Sequence, residues 1–178
     1  MNKIIKISLV VFFLLISNIV SAVIKPPFKN IIVNEQPIEY KDILFKDYDG
    51  NTVDLKNQKS QIYFLNFWAT WCAPCMQTMP LVEKAMEQFD PDMVKLISVN
   101  LQESAQQIRP ALERYKLNVT VALDTDGVAA ARYAAKAIPQ LVIVGEDGIV
   151  KQLYVGGGPK VVDQMTSTIK ELVNAPQE

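Results

Sequence analysis

Histidine is absent from the 178-residue chain, and cysteine occurs only twice. Structural zinc sites generally need four cysteine or histidine ligands, so the sequence offers no complete set and we expect no metal site. There is no basic run, and the formal net charge is −1 at pH 7, which disfavours nucleic acid as a partner. These absences leave the two cysteines as the residues best suited to chemistry.

Both cysteines lie in residues 71–75, which read Trp-Cys-Ala-Pro-Cys. The apolar run at 62–68 before them predicts a buried strand, and the pattern at 76–89 after them predicts a helix. Two cysteines with this spacing at a strand-to-helix junction are typical of a thioredoxin-like redox site. Cys72 would then lie at the helix N-terminus, where unpaired N–H groups and the helix dipole favour a thiolate. Cys75 would be close enough to resolve a mixed disulfide.

An inert structural disulfide is the main alternative for this pair. It would close a very short loop and constrain little of the unfolded chain, so its stabilising effect would be small. The residues alone leave this alternative open.

The N-terminus, residues 1–22, has the pattern of a secretory signal. Lys3 and Lys6 give it a positive start, and residues 7–16 form an apolar stretch. Small residues then precede a predicted cleavage point after Ala22.

An uncleaved membrane anchor over residues 4–24 is the alternative, although polar interruptions make that span marginal. Under either interpretation the cysteines lie outside the cytoplasm, where disulfides persist, so we expect a periplasmic or other extracytoplasmic location. Residues 23–178 are then long enough for one domain.

The rest of the chain alternates between strand and helix patterns. A turn signal, Asp49-Gly50-Asn51, joins short strand patterns at 43–45 and 52–55 and predicts a β-hairpin. Later strands are predicted at 94–99, 119–123, 141–144 and 149–155, and helices at 104–115, 124–135 and 159–173. Asp124 is expected to cap its helix, and Ser104 with Gln107 fits a capping box. This order predicts a mixed sheet covered by helices on both faces.

Residues 66–75, Asn-Phe-Trp-Ala-Thr-Trp-Cys-Ala-Pro-Cys, resemble the active-site segment of the thioredoxin superfamily. They are most similar to TlpA/ResA-like extracytoplasmic thiol–disulfide oxidoreductases and cytochrome c maturation thioredoxins. The likeness extends over residues 40–173 in the order of elements. It implies an α/β, thioredoxin-like three-layer fold for residues 23–178, with a mixed central sheet, an N-terminal β-hairpin and a helix–strand insert at 104–123.

The resemblance also implies roles for individual residues. Cys72 would attack, Cys75 would resolve, and their redox-active disulfide would be the only cofactor. Ile138-Pro139 would be a cis-proline step whose backbone pairs with an extended substrate, and Trp71 would shield the thiols. The residues implied to bind substrate flank or face the cysteines: Trp71, Ala73, Pro74, Ile138 and Pro139.

Two positions depart from the family pattern. Asn66 occupies the place of a buried aspartate in cytoplasmic thioredoxins, and Thr78 occupies the place of a glutamate common in the TlpA/ResA-like group. Neither side chain titrates in the working range. Glu83 and Glu103 are nearby acids that the sequence does not place relative to sulfur, so proton transfer is expected to use water or to be slow.

The function implied is reduction of disulfides in secreted or periplasmic proteins, with cytochrome c maturation as a candidate setting and a membrane electron donor as a further partner. A thiol oxidant and a binding or chaperone module without turnover are the alternatives. Peroxide reduction is disfavoured because we would expect an activating arginine and threonine beside a single peroxidatic cysteine.

Overall fold

The computed structural model describes residues 32–33, 36–37, 44–47, 49–54 and 62–175. The predicted signal at 1–22 and the alternative anchor at 4–24 lie outside these residues. No helix within the described ranges is long and apolar enough to cross a membrane.

The described residues form two sheets and four helices. The strands are β1 Ile32–Val33, β2 Gln36–Pro37, β3 Leu44–Asp47, β4 Thr52–Asp54, β5 Ile62–Trp68, β6 Val94–Leu101, β7 Val121–Asp124, β8 Gln140–Val144 and β9 Val150–Val155. The helices are α1 Ala73–Met86, α2 Ala105–Tyr115, α3 Val128–Arg132 and α4 Pro159–Val173. Strands β1 and β2 pair only with each other, and the other seven form one sheet in the order β4-β3-β7-β6-β5-β8-β9.

The large sheet is mixed, as the sequence predicted. Strand β6 lies parallel to both β5 and β7, whereas β8 runs antiparallel to β5 and to β9. The predicted N-terminal hairpin is present as the antiparallel pair of β3 and β4. The predicted helix–strand insert is present as α2 followed by β7.

Strand β5 is the centre of the molecule because every one of its residues is buried. A strand covered on both faces is expected to be apolar along its length, as this one nearly is. Phe67 faces one core cluster, where it packs against Tyr133 beyond α3. Phe64 and Trp68 face the opposite clusters, which hold side chains of α1, α2 and α4. The expected three layers are therefore observed.

Helix α1 starts three residues earlier than its apolar pattern predicted. It begins at Ala73, with Pro74 in the first turn. A proline there costs no helical hydrogen bond, because the first N–H groups have no partner within the helix. The earlier start makes Cys72 the N-cap residue itself.

Helix α2 begins with the predicted capping box. The Gln107 N–H donates to Ser104 Oγ at 3.4 Å, and the Ser104 N–H donates to Gln107 Oε1 at 2.9 Å. Ile108 then carries the apolar face of the helix into the cluster that contains the cysteines.

Asp124 caps a helix that is much shorter than the predicted range 124–135. It ends β7, and its carboxylate accepts hydrogen bonds from the N–H groups of Ala129 at 2.9 Å and Ala130 at 2.8 Å. These donors belong to α3, so the carboxylate does satisfy a helix N-terminus, but from the end of a strand. Burial raises the pKa of Asp124 above its ordinary 3.8 despite these two donors, and the nearby Asp126 adds to the rise.

The raised pKa of Asp124 makes a prediction for pH-dependent stability. Above pH 3.8 the Asp124 carboxyl group holds its proton more tightly in the folded protein than in the unfolded chain. The free energy of unfolding should therefore fall as the pH rises through the raised pKa. Asp124→Asn should remove that slope and cost about 1–3 kcal/mol, because one N–H loses its acceptor. Urea unfolding over a pH series would measure both effects. Asp163→Asn on the exposed face of α4 is the control, and parallel pH profiles for wild type and Asp124→Asn would contradict the prediction.

Candidate redox site

Cys72 and Cys75 form a disulfide at the start of α1, with an S–S distance of 2.08 Å. Cys72 Sγ accepts a hydrogen bond from the N–H of Cys75 at 3.2 Å, and the Cys72 carbonyl oxygen accepts one from the N–H of Met76 at 3.1 Å. Helix N-terminal N–H groups stabilise negative charge, so a reduced Cys72 would be stabilised as a thiolate. Cys72 is 6% exposed and Cys75 is fully buried, so only the first sulfur is open to a partner.

The loop before β8 faces this disulfide. The Ile138–Pro139 peptide bond is cis, as the resemblance implied. The Ile138 carbonyl oxygen lies 3.8 Å from Cys72 Sγ, and the Gly156 N–H donates to the Pro139 carbonyl at 2.8 Å. The end of β9 therefore holds the cis-proline loop against the sulfur.

Three of the residues predicted to bind substrate are exposed beside Cys72, whereas Ile138 is half-buried and Pro139 is buried. Trp71 is 71% exposed, and Ala73 and Pro74 are exposed beside it. An indole this open to solvent is available to contact a partner, and the shielding role of Trp71 stays a prediction. Trp68, the last residue of β5, is fully buried and packs in the core.

Thr78, the second departure from the family pattern, has a structural role through its hydroxyl. It donates to the Pro74 carbonyl at 2.8 Å and accepts the Gly158 N–H at 3.1 Å. Gly157 packs directly on it, because an added Cβ would overlap Thr78 Oγ1 and lie 3.1 Å from Pro139 Cγ. The glycine triplet at 156–158 is therefore a site of close approach between α1, the cis-proline loop and the start of α4.

Glu103 lies behind the loop that leads to Cys72, which the sequence could not establish. It is 7% exposed, and its carboxylate accepts the Thr70 N–H at 2.8 Å, the Thr70 hydroxyl, and the Asn100 side-chain amide at 2.9 Å. Neighbouring parallel strands end at the same sheet edge, so an acid just after β6 could have been assigned to the site from the topology. Glu83 instead accepts the Asn118 N–H at 2.9 Å, farther along α1.

Asn66 is buried on β5, and neither its amide nitrogen nor its carbonyl oxygen has a hydrogen-bond partner among the described residues. Its register partners are Ser98 on β6 and Leu141 on β8.

No cluster of three or more potential metal ligands exists in the described part of the chain.

The site combines a disulfide at a helix N-terminus with a cis-proline loop that faces it. The fold is a mixed sheet covered by helices on both faces. Together these features define a thioredoxin-like thiol–disulfide oxidoreductase. Residues 38–153 match the model of the AhpC/TSA family, which covers well over half of the sequence. The chain belongs to this family.

Several known proteins are similar to the chain. Thiol-disulfide oxidoreductase ResA of Halalkalibacterium halodurans is 27% identical over 139 residues, covering 78% of this chain and 76% of that protein. Thioredoxin-like protein YneN of Bacillus subtilis is 32% identical over 118 residues, covering 65% and 68%. The crystal structure of StoA from Bacillus subtilis superposes with a TM-score of 0.60 at 26% identity, covering 70% and 93%. These likenesses confirm the ResA-like resemblance and the predicted enzyme class, a protein thiol–disulfide oxidoreductase.

The contact at Gly157 generates a prediction for stability and activity. Gly157→Ala should push Thr78 away from the cis-proline loop, costing about 1–3 kcal/mol of unfolding free energy and lowering disulfide-exchange activity. Urea unfolding and an insulin-reduction assay would measure the two effects. Gly145→Ala is the matched control, because its added Cβ would meet the movable ends of Lys151 and Asp147. Equal stability of the two variants would contradict the prediction.

Proposed function

We propose that the chain is an extracytoplasmic disulfide reductase in which Cys72 attacks and Cys75 resolves. The observation that carries this proposal is the unequal access of the two sulfurs. Cys72 reaches the surface at the N-cap of α1 and contacts the Ile138 carbonyl, whereas Cys75 is enclosed by the core. An attacking thiol needs both access and a stabilised thiolate, and only Cys72 has them.

The reaction proceeds by two thiol–disulfide exchanges. The Cys72 thiolate attacks one sulfur of the partner disulfide, which forms a mixed disulfide and releases one partner thiolate to take a proton from solvent. Cys75 loses its proton and attacks Cys72 Sγ, which forms the Cys72–Cys75 disulfide and releases the second partner sulfur. Two electrons pass to the partner, and a membrane dithiol donor returns two electrons to the enzyme.

The surface around Cys72 suits an extended protein segment. The backbone of Ile138 would pair with the segment in the manner of an added β-strand, because the Pro139 carbonyl is already bonded to the Gly156 N–H and proline has no N–H. Trp71, Ala73 and Pro74 would supply exposed contact area on the other side of the sulfur. Candidate substrates are disulfides of secreted or periplasmic proteins, including the haem-site cysteines of apocytochrome c.

The location rests on residues 1–22, whose positive start, apolar stretch and small-residue end fit a secretory signal. We propose cleavage after Ala22, which leaves residues 23–178 as one thioredoxin-like domain. Retention of residues 4–24 as a membrane anchor would place the same domain on the same side of the membrane.

Two other functions have some support. Asn66 and Thr78 cannot take a proton from Cys75, which would fit a binding or chaperone module that does not turn over. A thiol oxidant would use the same sulfurs in the opposite direction. The reduction potential distinguishes a reductase from an oxidant, because that of thioredoxin is about −270 mV and that of a strong oxidant is about −120 mV.

Reductase activity predicts a specific pattern in the insulin-reduction assay with dithiothreitol as electron source. The wild-type chain should turn over many times, and Cys72→Ser should fall to the rate of dithiothreitol alone because the attacking sulfur is lost. Cys75→Ser is the matched variant, which should still attack but should accumulate mixed disulfide. Wild-type activity no higher than that of Cys72→Ser would leave the binding module as the better interpretation.

A trapping experiment tests the partner and the location together. Full-length Cys75→Ser, expressed in its native host, should accumulate disulfide-linked complexes outside the cytoplasm, because Cys72 cannot be released without the second sulfur. Mass spectrometry should identify the linked proteins and show a chain that begins at Val23. The proposed location would be contradicted if the disulfide-linked complexes were found only in the cytoplasm. It would also be contradicted if none of the chain were found outside the cytoplasm.

A further inference from the structure

Four side chains of β5 and β6 carry buried polar atoms that no described protein group satisfies. They are both amide atoms of Asn66, Trp68 Nε1, Ser98 Oγ and Asn100 Oδ1. Buried polar atoms in native proteins are almost always hydrogen-bonded, and internal water is the usual partner where protein groups are not. A set of such atoms in one place indicates a hydrated layer inside the core.

These atoms share one face of the sheet, beneath α1. Alternate residues of a strand face the same side, so Asn66 lies on the face of Phe64 and Trp68. Phe64 belongs to the same core cluster as Val82 of α1, and Trp68 belongs to the same cluster as Cys75. Asn66 is therefore covered by the segment of α1 between Cys75 and Val82.

The polar atoms continue across to β6. Asn66 and Ser98 are direct register partners, and so are Trp68 and Asn100. Adjacent strands lie about 4.8 Å apart, and residues i and i+2 of one strand about 6.6 Å apart. One water molecule with hydrogen bonds of about 2.8 Å on each side spans about 5.6 Å, which covers the gap between adjacent strands. The longer step along one strand is covered by the water together with the length of the side chains.

The far end of this row reaches a carboxylate. Asn100 uses its amide nitrogen to bond Glu103 Oε2 at 2.9 Å, while its carbonyl oxygen has no partner among the described residues. Glu103 and Asp124 are the two buried acids in the described ranges. Asp124 faces α3 on the opposite side of the sheet, so Glu103 is the buried acid on the side of the cysteines.

We propose that internal water held by Asn66, Ser98 and Asn100 carries the proton of Cys75 to the carboxylate of Glu103 during resolution. The inference rests on the proposed function, because resolution is the step in which the enclosed Cys75 must lose its proton. The Cys75 S–H bond breaks and a Glu103 O–H bond forms. The electron pair left on Cys75 forms the bond to Cys72 Sγ, and the bond from Cys72 to the partner breaks with the partner leaving as a thiolate. Re-reduction of the pair returns the proton to Cys75.

Other charged groups on the elements packed around this row lie away from it. Those of α1, α2 and β6 in the neighbouring region are Glu83, Lys84, Lys95, Arg109, Glu113 and Arg114, and each is exposed or half-buried. The carboxylate of Glu83 is already bonded to the Asn118 N–H. Strand β5 carries no charged residue.

The two steps can be timed separately with 5,5′-dithiobis(2-nitrobenzoate) and the reduced full-length chain. Attack by Cys72 releases one coloured thiolate, and resolution by Cys75 releases a second. Glu103→Gln should leave the first release within about twofold of wild type and slow the second about 100-fold at pH 7, the usual size of a general-base contribution. The second rate should then rise about tenfold per pH unit, as hydroxide replaces the missing base.

Asn66→Leu tests the water independently of the carboxylate. A leucine of similar volume should exclude water at this position while preserving the fold, because an apolar group of like shape can replace a buried polar one at little cost. It should slow the second release at least tenfold and leave the first unchanged. Glu83→Gln is the matched control, a carboxylate with a similar backbone bond outside the row, and should behave as wild type.

Two results would overturn the inference. One is a second release that is unchanged in Asn66→Leu or in Glu103→Gln. The other is an equal slowing of both releases in Glu103→Gln with an unaltered pH profile, which would show that Glu103 only positions the Thr70 loop. A wild-type chain that fails to release the second thiolate and fails to reduce insulin would instead defeat the proposed function itself.

Discussion

The hydrogen bonding of Cys72 at the first turn of α1 is the constraint on which the site depends. A sulfur in this position receives a backbone N–H and the positive end of the helix dipole, so its charge is stabilised without a basic side chain. The absence of histidine from the chain is therefore compatible with thiolate chemistry. The geometry requires a rigid strand before the helix, and β5, buried along its whole length, provides it.

The surroundings of the two sulfurs divide two tasks between them. Around Cys72 the surface is made of exposed residues and a cis-proline loop, which suits contact with another protein. Around Cys75 the core is closed, and an enclosed thiol exchanges its proton only through groups that are themselves buried. The polar atoms of β5 and β6 are unusual for a core because buried polar groups are costly unless they are bonded. In the proposed proton path, water bound to these atoms gives them hydrogen-bond partners and carries the proton of Cys75 to Glu103.

Local patterns in the sequence were sufficient for much of the fold. Strand β5 was predicted residue for residue, and the capping box at Ser104 was recognised because both depend on near neighbours in the chain. The start of α1 and the length of α3 were not predicted correctly. Helix α1 begins within the cysteine motif, where no apolar periodicity marks it, and α3 is capped by a carboxylate from β7.

The sequence predicted only the part of the candidate site that lies within one short segment. Residues 71–75 carry both cysteines in one segment, whereas Glu103 reaches the Thr70 loop from the end of another strand, which no spacing rule reveals. The partnerless amide of Asn66 likewise depends on what α1 and β6 place around it. The sequence showed that positions 66 and 78 carry no acid. Only the tertiary structure shows that Glu103 bonds Thr70 in the loop that leads to Cys72.

The contact between Thr78 and the loop before α4 has an evolutionary consequence. Residue 157 has no room for a side chain beside Thr78, and the Thr78 hydroxyl also accepts the Gly158 N–H, so positions 78 and 157–158 constrain one another. A change in the size of the side chain at position 78 would therefore call for a matching change at residues 157–158, so we expect the two segments to evolve as a pair.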